Sequence, residues 1–200
     1  MATPEQRLQT VNRELIRIVN GASFPAAGIY ELDPVHTFVE FSARHFLIGL
    51  VRGRFNDVRG MVSIHEDPAR TSLEVHIDAS SADTRNTVRD DDVRGPHFLN
   101  AAHFPDIAYR STGAAHSGGN EWLVEGVLTV RGVERVVPVD VTFVGAVLDP
   151  TGKTRVGFTA NATVRRADFG MVGDLPNEVG EIPVDRDVSI HIDAEAILRT

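Results

Sequence analysis

The chain has 200 residues, contains no cysteine and carries a formal net charge of −8. The lack of cysteine excludes disulfides, thiolate metal sites and cysteine nucleophiles. The acidic balance disfavours nucleic acid as a partner. A chain of this length can bury enough apolar surface to fold as one domain without such cross-links.

The first predicted element is an amphipathic helix over residues 5–19. Its apolar residues recur at three- and four-residue steps, and they are Leu8, Val11, Leu15 and Ile18. The apolar stripe must cover something, so we expect the helix to lie on the rest of the fold, close one end of it, or join a second copy as a homodimer. Residues 21–28 read as a linker, which separates residues 1–28 from a domain over 29–200.

The same region bears on localisation. Charged residues interrupt the first 21 positions, so no secretory signal is expected, and no apolar run in the chain reaches the ~20 residues of a membrane span. We therefore expect a soluble, cytoplasmic protein with no transmembrane segment.

From Ile29 onward, apolar and polar residues alternate, which is typical of antiparallel strands with one buried face. The clearest alternating stretches are 35–43, 73–79, 122–130, 137–143 and 188–194. Turn signals between strands, including the hairpin glycine Gly132, predict mainly hairpin connections. The count comes to about eight strands, a number at which a sheet closes into a barrel. The predicted fold is therefore all-β, an eight-stranded antiparallel barrel of the lipocalin-like kind.

The alternation breaks between Thr84 and Ala102. Here Thr87 can cap a short helix over residues 86–95, with Asp90 and Asp91 in its first turn. This insertion either covers one end of the barrel or serves as an ordinary crossover.

Six stretches in fixed order carry a resemblance to a known family. They are DPVHTFVEFSARHF at 33–46, VRGRF at 51–55, TRN at 84–86 with RD at 89–90, FP at 104–105, GVLTVRGV at 126–133 and RADFG at 166–170. Together they resemble the YceI-like family of lipocalin-like bacterial proteins, which are associated with polyisoprenoid binding. The resemblance extends over residues 29–197. Asp92 and Val93 stand where the family often carries His and Leu, which implies a different chemistry at the mouth.

The resemblance implies a deep apolar tunnel that holds an isoprenoid quinone or a related prenyl chain. Strand parity and the family motifs together give the predicted lining as Val39, Phe41, Phe55, Phe98, Phe104, Leu128 and Phe169. The polar candidates for a head group or a barrel end are His36, His45, Arg89 and Asp90. For these four, structural roles are the alternative, namely hydrogen bonds at strand ends and a local Arg89–Asp90 pair.

Three functions follow in order of preference. The first is a carrier or sequesterer of an apolar isoprenoid-type lipid, with no cofactor required beyond that lipid or quinone. The second is a barrel enzyme that cyclises or isomerises an apolar polyene or polyketide by orienting it. The third is a structural or interaction protein with a filled barrel. No catalytic residue or metal ligand is assigned, because the sequence lacks the Gly-x-Ser-x-Gly and His-Glu-x-x-His patterns.

Overall fold

The computed structural model describes residues 15–19, 21–46, 48–171 and 184–199. The helix α1 spans Thr87–Arg94. The described strands are β1 (Ile16–Val19), β2 (Ala22–Pro25), β3 (Gly28–Leu32), β4 (Phe38–His45), β5 (Gly49–Phe55), β6 (Val58–Ile64), β7 (Ser72–Asp78), β8 (Ala82–Asp83), β9 (Asp106–Gly118), β10 (Glu121–Val130), β11 (Val133–Leu148), β12 (Thr154–Arg165) and β13 (Asp187–Leu198).

Eight of these strands close an antiparallel barrel in the order β3, β6, β7, β9, β10, β11, β12, β13. Closure occurs at β13, which pairs along its length with β12 and near residues 196–198 with β3. The other end of β13 pairs with β4, and β4 continues the wall through β5 to β8. The predicted all-β barrel is confirmed.

Strand alternation follows the predicted parity. In β10, Trp122, Val124, Leu128 and Val130 all face the barrel interior. The β10–β11 hairpin turns at Arg131 and Gly132, whose φ angles of 53° and 71° match the two positive values of a type I′ turn. Gly132 therefore acts as the hairpin glycine that the sequence predicts.

The N-terminal prediction needs correction where the structure describes it. Leu15 is helical, as predicted, but residues 16–19 form β1, and residues 22–25 of the predicted linker form its antiparallel partner β2. β-branched residues in β1 favour a strand, and Gly21 supplies the positive φ of 82° at the turn. Residues 5–14 of the predicted helix lie outside the described residues.

The β1–β2 hairpin packs on the barrel end. The ring of Phe24 lies 4.7 Å from that of Trp122, centroid to centroid, and the Arg17 guanidinium stands 5.0 Å above the Phe24 ring. Arg17 also pairs with Glu66 at 3.0 Å in the turn after β6. This segment therefore closes one end of the barrel, which is one of the three roles expected for the predicted helix. It does so as a β-hairpin and not as a helix.

The short helix near residues 86–95 is present as α1. Its N-cap is Asn86, one residue before the predicted Thr87, and the Asn86 side chain accepts a 3.0 Å hydrogen bond from the Arg89 backbone N–H.

Among the described residues, no helix is both long enough and apolar enough to cross a bilayer.

Candidate functional site

A cavity of about 620 Å³ occupies the barrel interior. Its volume lies within the range of small-molecule sites, which are typically apolar with a few placed polar groups. The wall consists mainly of inward apolar side chains of the barrel strands, and α1 completes it at one end. Trp122 and Val130, at opposite ends of β10, are separated by about 26 Å of strand at ~3.3 Å per residue. The cavity is therefore long as well as apolar.

One end of the cavity, here called the aromatic end, is formed by Phe24, Trp122, Phe143 and Phe158. The Phe143 and Phe158 rings are 5.7 Å apart, and Trp122 contacts Phe24. Trp122 is buried, and its indole Nε1 has no hydrogen-bond partner within the described part of the chain. An apolar environment of this kind suits a hydrocarbon chain.

The opposite end, here called the helix end, carries the charged groups of the wall. They are Arg89 and Asp92 on α1 and Arg166 after β12, with His45 at the end of β4 and Asn86 at the helix cap. Charge on the cavity wall is therefore confined to one end among the residues described. A ligand with one polar terminus and an apolar chain matches this asymmetry.

Arg166 is buried at the helix end. Its Nε donates to the Asp185 carbonyl at 2.7 Å, Nη1 to the Met171 carbonyl at 3.0 Å and Nη2 to the Val184 carbonyl at 2.9 Å. The guanidinium also lies 5.8 Å from the Phe98 ring centroid. Burial lowers the pKa of Arg166 from its ordinary value, and the nearby Asp185 carboxylate opposes that shift. Arg166 belongs to the RADFG motif, so the sequence draws attention to it. The alternation of inward and outward residues along the strands does not predict that it faces the cavity.

Thr84 fixes α1 against the barrel. The buried Asp90 carboxylate accepts two hydrogen bonds of 2.6 Å, from the Thr84 backbone N–H and from its hydroxyl. Arg89 donates to the Thr84 hydroxyl and carbonyl at 2.8 and 2.9 Å. The two neighbours are thus joined through Thr84, which corrects the expected direct Arg89–Asp90 pair.

Five of the seven predicted lining residues lie on the cavity wall, namely Val39, Phe41, Phe55, Phe98 and Leu128. Phe169 is fully buried in the core cluster beneath the helix end, and Phe104 packs beside Gly132 outside the cavity. Of the polar candidates, His45 and Arg89 are on the wall. The contact of these residues with a ligand stays a prediction.

His36 lies elsewhere, in a polar cluster at the turn between β3 and β4. Its Nδ1 is 2.9 Å from Asp33 Oδ2, and the same carboxylate pairs at 2.5 Å with Arg155. Arg155 also binds Asp149 at 2.9 Å and Glu195 at 3.1 Å. Atoms of Asp33, His36 and Glu195 lie within 4.8 Å of one another, but Arg155 already binds both carboxylates. The cluster therefore joins the turn after β3, the β11–β12 turn and β13.

Two glycines make room for aromatic side chains on the wall. A Cβ on Gly126 would overlap with Tyr109, and one on Gly53 would overlap with the ring of Phe41. Tyr109 lies across Gly126, and its one hydroxyl proton is shared between the carbonyls of Val124 and Val137 at 3.2 and 3.1 Å. Burial, aided by the Glu125 charge, raises the pKa of Tyr109 to about 12. Its hydroxyl is therefore a neutral donor across the physiological range.

The sequence model of the YceI-like domain family matches residues 30–196 of this chain. The chain belongs to the YceI-like family. Among YceI-like relatives, a UPF0312 protein of Yersinia pestis (strain Pestoides F) is 31% identical over 195 residues, covering 94% of this chain and 98% of the relative. A UPF0312 protein of Pectobacterium atrosepticum is 30% identical over 178 residues, covering 88% and 89%.

Solved structures show the same YceI-like barrel. BcnA of Burkholderia cenocepacia superposes with a TM-score of 0.71 at 22% identity, covering 82% of this chain and 98% of that one. A polyisoprenoid-binding domain from Saccharophagus degradans superposes with a TM-score of 0.67 at 18% identity, covering 85% and 98%. At these identities the likeness establishes the fold.

Proposed function

We propose that this YceI-like protein binds and carries a long isoprenoid-type lipid, a quinone or polyprenyl chain, inside its barrel. The observation that carries the proposal is the asymmetry of the cavity, whose wall is mainly apolar and, among the described residues, carries charge at one end only. The polyisoprenoid-binding neighbour adds support from a protein of the same fold. At ~0.8 kcal/mol per buried CH₂, a chain of several isoprene units gains enough from burial to offset its ordering cost.

The asymmetry also gives the ligand an orientation. Its polar terminus lies at the helix end, where Arg89 and His45 offer donors and the Arg166 guanidinium adds positive charge, and its chain extends toward Trp122. A neutral head group such as a quinone suits this end because Asp92 offsets part of the positive charge. The expected cytoplasmic location and homodimer stay predictions.

The test uses Trp122, which is the one tryptophan in the sequence and stands on the cavity wall. We expect a prenylated benzoquinone to quench its fluorescence saturably and with one-to-one stoichiometry. The variant Ala162→Phe fills the cavity from β12 and should weaken uptake by about tenfold or more. Its matched control is Thr163→Phe, the next residue of the same strand, which is exposed.

Equal affinity of the wild type and Ala162→Phe would contradict binding in the cavity, and so would quenching that rises linearly without saturation. Extraction of the bound quinone after incubation separates a carrier from an enzyme. A carrier returns the quinone unchanged, whereas the cyclase or isomerase alternative returns it altered.

A further inference from the structure

The hairpin between β4 and β5 carries exposed apolar side chains at its tip. Ile48 is 90% exposed, and Phe46 and Leu50 are each 44% exposed. The Phe46 ring packs on the His45 ring with centroids 4.2 Å apart. Large apolar groups held in water at one tip are typical of surfaces that bind a partner or a membrane.

This tip adjoins the entrance to the cavity. Inward residues of the same two strands, Ala43, His45 and Val51, line the cavity, as does Val88 of α1. Val88 is nevertheless 72% exposed. His45 and Asp92 are likewise exposed residues of the wall, so the cavity opens to solvent here, between the hairpin tip and α1.

The tip is basic within an acidic molecule. Residues 44–52 contain two arginines and no acidic residue, although the whole chain carries −8. Arg44 and Arg52 are exposed on the outward face, and neither guanidinium has an ion-pair partner in the part of the chain that the structure describes. Asp185 lies beside Arg44 through a 2.9 Å backbone hydrogen bond, and Arg186 and Asp187 follow it, so this neighbouring segment carries a net charge of only −1. Cationic side chains beside apolar ones match the interface of a bilayer that contains anionic lipid.

We propose that the β4–β5 tip, defined as Arg44, Phe46, Ile48, Leu50 and Arg52, docks on an anionic membrane surface and holds the cavity mouth against it. The inference rests on the proposed function, because a prenyl lipid dissolves in membranes and must pass between bilayer and cavity without crossing water. Insertion of Ile48 and Phe46 places Val88 and the mouth at the lipid boundary.

Co-sedimentation with vesicles tests the docking. One set contains phosphatidylcholine and phosphatidylglycerol in equal parts, and the other contains phosphatidylcholine alone. The wild type should bind the anionic vesicles, and added salt should weaken the binding. Arg44→Gln with Arg52→Gln should weaken it by about fivefold per arginine, and Ile48→Ser by about tenfold.

Matched controls lie far from the mouth. Val147→Ser removes a 58% exposed apolar side chain near the β11–β12 turn, and Arg70→Gln removes an exposed arginine between β6 and β7. Both should bind vesicles within about twofold of the wild type. The inference is overturned if the wild type does not bind anionic vesicles or binds both vesicle sets equally. It is also overturned if the control variants lose as much binding as the tip variants.

A second readout separates this inference from the proposed function. The tip residues that are changed do not line the cavity, so the variants should take up detergent-dispersed prenylated benzoquinone like the wild type while transferring it more slowly from vesicles. Normal uptake without vesicle binding overturns the docking alone. Vesicle binding without any uptake overturns the carrier function and leaves the tip as a membrane contact.

Discussion

At the scale of single residues, the packing of the cavity wall depends on a glycine, Gly126. Gly126 leaves the space that Tyr109 fills, and Tyr109 joins β10 and β11 through its hydroxyl. A methyl group at this position would force the ring away and leave its hydroxyl without one or both acceptors. The glycine thus acts through close approach between a backbone and a ring, not through an unusual backbone angle.

We expect Gly126→Ala to lower the free energy of unfolding by about 1–3 kcal/mol, the usual cost of overpacking. Urea unfolding measures it. The control is Gly113→Ala on the neighbouring strand β9, where an added Cβ meets nothing within 4 Å. Gly113→Ala should leave stability unchanged or slightly raised, because alanine restricts the unfolded chain. Similar losses in both variants would show that Tyr109 is not the cause.

The carboxylate of Asp33 gives a pH-dependent prediction. Hydrogen bonding to Arg155 lowers its pKa to about 2, although burial acts in the opposite direction. Because the folded pKa lies below the ordinary value of 3.8, the stabilising contribution is present above about pH 4 and is lost as the pH falls through about 2. The stability of the wild type should therefore fall in this acid range.

Arg155→Met should lower stability at neutral pH and reduce the additional acid loss, because Asp33 then titrates closer to its ordinary pKa. Urea unfolding at several pH values measures both effects. Arg110→Met is the control, since Arg110 pairs with Glu74 at 2.9 Å on the exposed surface of β9. Parallel pH curves for the wild type and Arg155→Met would contradict the assignment.

At the scale of elements, α1 closes the helix end, and Thr84 is its point of attachment. Removing the Asp90 carboxylate should cost about 1.5–3 kcal/mol, because two short hydrogen bonds to a charged group are lost in a buried place. We expect Asp90→Ala to increase amide hydrogen exchange over residues 87–94 more than elsewhere. Asp91→Ala, at the exposed neighbouring position, should change stability by less than about 0.5 kcal/mol. Uniform exchange across the barrel would contradict a local role.

The elements differ in how well periodicity predicts them. Alternation identifies β7, β10 and β13 with the correct inward face, because each has one side against the cavity and one in solvent. It fails for β1, where Ile18 continues the helical spacing from Leu15 but Ile16, Ile18 and Val19 favour a strand. The contact of Phe24 with Trp122 stabilises the hairpin, and no local pattern contains that contact.

The cavity itself is harder to predict than its lining. Phe41 and Leu128 would face inward in a filled barrel as well as in a hollow one. The space exists because the wall also contains small residues such as Ala160 and Ala162 of β12, and only the closed geometry shows how much volume they leave. Arg166 belongs to the RADFG motif that carries the resemblance, but only the structure shows that it faces this space.

At the scale of the whole molecule, ligand binding should raise stability. A ligand that binds only the folded barrel, supplied at about one hundred times its Kd, adds about 2.7 kcal/mol. For a domain of this size, that corresponds to a rise in Tm of roughly 5–10 °C. Calorimetry with the prenylated benzoquinone measures it, and Ala162→Phe should show a much smaller rise. An unchanged Tm for the wild type would contradict binding in the interior.

The closure of the barrel at β13 has a consequence for how the chain reaches its native state. Residue 196 pairs with residue 32, and residue 192 with residue 39, so strands far apart in sequence must meet before the wall is complete. Contacts at such separation slow folding to the millisecond-to-second range. During synthesis on the ribosome, the aromatic interior therefore stays open until β13 has emerged. That interval is when this chain is most exposed to aggregation, because its apolar interior is not yet covered.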